Sequence, residues 1–214
     1  MTAESLRDRQ RAQVLTDIRR AAFRLFVQRG YDAVTTEEIA TAAGISPRTL
    51  FRYVPTKEDL LLGPVRHGGT AIVNLLDARP ANESPDHALI NAIVARTRSF
   101  DESDCTQWRS ALLVAPHLLD TVSIHTQAEK DRAIKLVAAR MGTDPTTDMR
   151  PGLLVHLCFA AADFAFQQWV RQKNAGRPLD QYVTEALDTV KNRYWVAAPV
   201  DRRRRLSGSR ARHS

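Results

Sequence analysis

The chain has 214 residues, 26% of them charged and 43% hydrophobic, enough to bury a core without disulfide or metal staples. Two cysteines, Cys105 and Cys158, with no Cys-x-x-C exclude a disulfide scaffold and a thiolate zinc site, and no stretch reaches the ~18 consecutive apolar residues of a membrane span. The net charge of +7 sits at the ends: +2 over residues 1–60, zero over 61–200 and +5 over 201–214, which suits an anionic partner engaged from one end and equally a solvated surface.

Residues 1–11 are charged and lead into no apolar run, so no signal peptide is expected. Val14, Ile18, Ala21, Ala22, Leu25 and Phe26 recur at steps of three and four, as one face of a helix does. Gly30 stands where that helix should stop. Over 35–54, Thr35 and Glu38 have the spacing of a capping box, and a short helix follows to Ala43. Gly44 supplies the turn, Ser46 caps a second helix, and Pro47 takes its first position, where a missing N–H costs nothing. Two short helices joined by a glycine turn make a helix-turn-helix, whose second helix enters the DNA major groove.

Further helices are expected over 57–78, 85–100, 104–115, 117–142, 148–173 and 179–196. The breaks fall at Pro80, Ser84-Pro85, Pro116, Gly142-Thr143-Asp144-Pro145 and Gly176-Arg177-Pro178. Gly63-Pro64 lies inside the first of these helices and predicts a kink there. No β-branched run alternates with period two. The fold class is therefore all-α, with about nine helices. The expected organisation is a three-helix head over 1–56 and a helical regulatory bundle over 57–200. A basic tail over 201–214, apolar only at Leu206 and Ala211, reads as disordered.

Residues 12–60 resemble the N-terminal domain of the TetR family of bacterial transcriptional regulators. The likeness is carried by Thr35, Ile39-Ala40, Ala43-Gly44-Ile45-Ser46, Thr49-Leu50-Phe51, Tyr53-Val54, Lys57 and Leu60, after Phe26 and Gly30-Tyr31. The resemblance implies a recognition helix at 47–53, with Pro47 and Arg48 facing base edges. Arg48 suits guanine O6 and N7. Thr49, Tyr53 and Lys57 match phosphate-binding positions, and Thr35 or Thr36 would bring another helix start to a phosphate. Arg52 would touch a phosphate or a base. Phe51 departs from the tyrosine common in the family and offers only apolar contact.

For the neutral middle, the resemblance implies a homodimer and a pocket for a small effector of unknown identity. Phe166, Trp169, Leu187 and Tyr194 are candidate dimer contacts, with Phe159 a further one. His67, Phe100, Trp108, His125 and Phe159 are candidate pocket linings for an apolar or amphipathic ligand. His156 and Asp163 share a helix face and are open to ligand, dimer or core roles. The Gly63-Pro64 kink is a candidate flex point between pocket and head. The partners expected are double-stranded operator DNA, a second copy of the chain and the effector, with no membrane and a cytoplasmic location.

His67-Gly68-Gly69 is not accompanied by Gly-x-Ser-x-Gly. There is no phosphate-binding glycine loop, and no two of the six histidines stand three or four apart. No catalytic residue, metal site or cofactor is therefore expected, and the chain reads as a regulator, in the most direct version a repressor. The Arg202–Arg205 run with Arg210 and Arg212 would either add phosphate contacts or keep the chain soluble.

Overall fold

A computed structural model describes residues 6–66, 68–98, 102–121, 125–172 and 177–194. These residues form α1 (Leu6–Arg29), α2 (Thr36–Ala42), α3 (Pro47–Tyr53), α4 (Lys57–Arg66), α5 (Gly68–Asp77), α6 (Pro85–Arg98), α7 (Glu102–Leu113), α8 (Pro116–Thr121), α9 (Gln127–Met141), α10 (Arg150–Arg171) and α11 (Leu179–Thr189). A π-helical turn, Val190–Tyr194, continues α11. No strand occurs among the described residues. The all-α class holds. The helix expected over 57–78 is represented by α4 and α5, which flank His67, a residue outside the described ones, and the helix expected over 117–142 is divided into α8 and α9. The expected tail lies outside the described residues.

The start of α5 packs closely on the start of α9. A Cβ placed on Gly69 would lie 2.6 Å from Cδ of Glu129. That carboxylate accepts from Thr70 Oγ1 at 2.6 Å and, as the third residue of the α9 capping box, from the Thr126 N–H at 2.8 Å. A side chain at position 69 would push the Glu129 carboxylate aside. Pro64 lies within α4.

The core runs continuously through the chain. Ile18, Ala22, Phe23 and Phe26 of α1 join Ile39 and Leu50 of the turn motif, then Leu60, Leu61, Ile72, Leu76, Leu89, Ile93 and Leu112, and on to Phe159 and Val183. Trp108 of α7 donates to the Leu61 carbonyl at 2.7 Å, tying α7 to α4. Its ring lies 5.9 Å from Phe166 and 6.3 Å from Trp169. Arg109 covers Trp169, 5.3 Å from its centroid. Phe166, Trp169 and Leu187 are buried inside one chain, at 8%, 6% and 1% exposure. They are core residues, which corrects their expected place at a dimer surface. Apolar side chains of this size join whichever apolar neighbours lie nearest, and here those belong to α7 and α11.

The other face of α10 is different. Leu153, Leu157 and Phe164 are 56%, 47% and 60% exposed, and His156 and Ala160 are exposed between them. Their spacing puts them on one stripe. Among the described residues α10 alone is long and apolar enough to cross a membrane. Half of its most apolar window is buried in the chain, as in a core helix.

The turn after α5 is held by one side chain. Arg140 of α9 donates to the carbonyls of Leu76 (3.1 Å), Arg79 (2.8 Å) and Pro80 (2.8 Å). It thereby satisfies acceptors that the end of α5 leaves open. Beside it the Arg79 fork, then Asn91, hold the Glu83 carboxyl down to about 2. Arg140→Ala is expected to cost about 2 kcal/mol. That corresponds to a Tm lower by roughly 4–8 °C in a chain of this size. A thermal melt followed by circular dichroism checks it, and an unchanged Tm would mean that water replaces the guanidinium without loss.

Candidate nucleic-acid interface

The turn motif is built as the residues predict. Thr35 caps α2, accepting from the Glu38 N–H at 3.2 Å, while Glu38 Oε2 accepts from the Thr35 N–H at 2.9 Å. Arg29, at the end of α1, donates to the other Glu38 oxygen at 2.7 Å. The Thr35 N–H and then Arg29 hold this carboxyl below the usual glutamate range. Gly44 adopts φ +69, and the Ile45 N–H returns to the Ala40 carbonyl at 3.0 Å. This is the Schellman closure that a left-handed residue makes possible. Ser46 accepts from the Thr49 N–H at 3.2 Å, with Pro47 at the first position of α3.

Leu50 is fully buried and Val54 nearly so, which anchors α3 by one face. Pro47, Arg48, Phe51 and Arg52 are exposed on the other. Positions i, i+1, i+4 and i+5 form one continuous strip of a helix. Phe51 is 47% exposed. An aromatic ring left in water on a helix that buries only its opposite side suits an apolar base edge such as a thymine methyl. Thr49 and Tyr53 are half-buried along the strip's edge.

Four expected phosphate contacts are engaged within the chain, the Thr49 hydroxyl sharing a hydrogen bond with Ser46 Oγ at 3.0 Å. The Thr35 hydroxyl is held in the cap, and the Thr36 hydroxyl donates to Glu37 at 3.2 Å. Lys57 Nζ donates to the Val34 carbonyl at 2.9 Å and lies 4.2 Å from the Tyr31 centroid. Tyr31 packs in turn on Phe26 at 5.0 Å and on His117 of α8 at 5.7 Å. Burial, then the Glu58 carboxylate, pushes its phenol well above the ordinary tyrosine value. Lys57 therefore joins α4 to the loop that enters α2, with two ammonium protons left for other acceptors.

The candidate pocket residues divide. His67 and Phe100 lie outside the described residues, and of Tyr194 only the backbone is described. Trp108 is core. His125 is 2% exposed, stacked on Phe159 at 3.9 Å, with Nε2 3.4 Å from Asp163 Oδ1. Asp163 thus faces His125 on the inner side, whereas His156 lies on the outer stripe. Cys158 of α10 is buried, and its thiol is raised to about 12 by that burial. No cluster of three metal-ligating side chains occurs among the described residues.

Residues 18–63 match the model of the tetR family of bacterial regulatory proteins. The chain belongs to the TetR family. Residues 83–194, more than half of the chain, match the MftR C-terminal domain. The transcriptional regulator TcmR of Streptomyces glaucescens is 29% identical over 195 residues, spanning 87% of this chain and 86% of its own. The protein named as a mycofactocin biosynthesis transcriptional regulator, MftR, of Mycobacterium tuberculosis is 30% identical over 190 residues, spanning 87% and 92%. Among solved structures, SmeT, titled the repressor of the Stenotrophomonas maltophilia efflux pump SmeDEF, superposes with a TM-score of 0.54 at 17% identity. It covers 83% of this chain and 88% of its own, and shows the shared fold. This TetR-family chain is a DNA-binding transcriptional regulator, and its relatives are regulators, not enzymes.

Two features of the site were not foreseen from sequence. Arg7 and Arg11 of α1 come beside Arg52 and Tyr53, and α8 reaches the head through His117. Arg7, Arg11 and Val14 do carry a signal, since their spacing puts them on one helix face. The step from α1 to α3 is a tertiary contact with no local signature.

Proposed function

We propose that the chain is a homodimeric repressor that holds one α3 in each of two major-groove half-sites and leaves its operator when a small apolar or amphipathic effector binds the bundle. The observation that carries the reading is the exposed strip Pro47-Arg48-Phe51-Arg52 on a doubly capped, firmly anchored α3. In the complex Arg48 would pair with a guanine, while Thr49, Tyr53 and the remaining Lys57 protons would take phosphates. Dimer contact is assigned to the Leu153-Leu157-Phe164 stripe of α10. A stripe this apolar on a soluble surface marks an interface, and a two-fold axis would set it against itself. The effector reading rests on the His125–Phe159–Asp163 cluster, a polar pair on an aromatic wall inside the bundle. The head is assigned to 1–56, the bundle to 57–200, and the location to the cytoplasm, where operator DNA is.

The test uses a duplex from upstream of the protein's own gene. Sedimentation should give two protomers per site or a multiple of two, with protected half-sites ~34–36 Å apart or at a longer whole-turn spacing. A compound found by thermal shift should then lower operator affinity, since it acts only through its different affinities for two states. One protomer per site, or a stabilising compound that leaves DNA affinity unchanged, would contradict the reading.

A further inference from the structure

We infer that the groove between the first turns of α1 and the last turn of α3 is a second DNA contact, one that takes backbone phosphates flanking the bases read by α3. The inference rests on α3 being the helix in the major groove.

The groove has a volume of about 600 Å³ and is lined by Arg7, Arg11 and Arg52 together with Gln10 and Tyr53. Among the described residues no carboxylate lines it. Three other guanidinium groups of the head and α4 are matched by acids: Arg20 with Asp17, Arg29 with Glu38, and Arg66 with Asp59. Among the described residues Arg7, Arg11 and Arg52 make no such pair. Cations gathered this closely repel one another in the free protein. A polyanion laid across them removes that cost.

Their geometry suits a strand. The Arg11 and Arg52 guanidinium carbons lie 5.6 Å and 5.4 Å from the Tyr53 ring centroid, so the two groups share one ring. Stacking holds the planar fork while leaving N–H groups for an acceptor, which lowers the entropy lost when a phosphate binds. Arg7 stands one helical turn, ~6 Å, beyond Arg11 on the same face. The row Arg52, Arg11, Arg7 therefore leads away from the recognition strip. Base-reading residues lie toward the start of α3 and this row at its end, so the row meets the duplex beside the bases that α3 reads. It positions the protein on the duplex without reading sequence.

The experiment is fluorescence anisotropy with the full chain, on the upstream duplex and on a scrambled duplex, across a salt series. Arg7→Ala with Arg11→Ala should weaken binding to both duplexes alike and leave their ratio unchanged. Each lost phosphate contact lowers the salt slope by about 0.9, so the double variant in a dimer should lose roughly 2–4 from the slope. Arg11→Lys, which keeps the charge, should retain the slope. Both arginines are exposed, and a melt confirms that the variants fold. An unchanged slope with a lower Tm would overturn the inference, making Arg11 only a prop for Tyr53. A changed preference between duplexes would overturn it also, making the arginines base readers. Equal affinity of the wild type for the two duplexes would instead count against α3 as the reader, while the slope comparison still decides the groove.

Discussion

Arg48→Ala is expected to abolish the preference for operator over scrambled DNA while leaving the fold intact. Arg48 is exposed at the second position of α3, on the strip opposite buried Leu50. Ser46 and Pro47 fix the start of the helix without its help. Its loss therefore removes a base contact and no packing. A bidentate arginine–guanine pair gives about 1–3 kcal/mol of discrimination. Two half-sites double it, which predicts an operator affinity roughly 30-fold to 10⁴-fold lower. Affinity for scrambled DNA should fall only slightly, by the one phosphate attraction that any surface cation supplies. Anisotropy on the two duplexes measures both numbers. An equal fall on both would make Arg48 a backbone contact.

Phe164→Glu should convert the protein to monomers with an unchanged melting profile at low concentration. The ring is 60% exposed in the single chain, so the substitution opens no cavity in the bundle. A buried aromatic side chain is worth about 1.5–3 kcal/mol, and symmetry removes two. The dimer should weaken by roughly 3–6 kcal/mol, at least 100-fold in dissociation constant. Operator binding should fall with it, because one head alone reads one half-site. Sedimentation velocity checks the mass. Phe166→Ala offers a contrast from the inner face, where Phe166 packs on Trp108 and Trp169. It should cost about 3–5 kcal/mol of fold stability. A dimer that survives Phe164→Glu would remove the α10 stripe from the account.

The head was legible in the sequence because its determinants are local. Thr35 with Glu38, Gly44, and Ser46 with Pro47 each act within three residues of where they stand, and each forms the expected cap or turn. The bundle was legible in class but not in its faces. The approach of Glu129 to Gly69 joins residues sixty apart and has no local signature. The side of α10 that turns inward depends on where Trp108 lies. Periodicity says that α10 has apolar residues all round, with Phe159 and Phe166 on one side and Leu157 and Phe164 on the other. It does not say which side the chain covers for itself. Lys57 shows the same limit in the head. Its position matches a phosphate contact, yet its ammonium also joins Val34 and Tyr31.

The most direct test of the account is the ratio of affinities of wild-type protein for the upstream duplex and for a scrambled duplex of equal length and composition, measured by anisotropy at physiological salt. The account predicts a ratio of about 10³ or more, falling steeply in Arg48→Ala. A ratio near one, equal in both proteins, would contradict it and leave only the attraction of a basic protein for a polyanion.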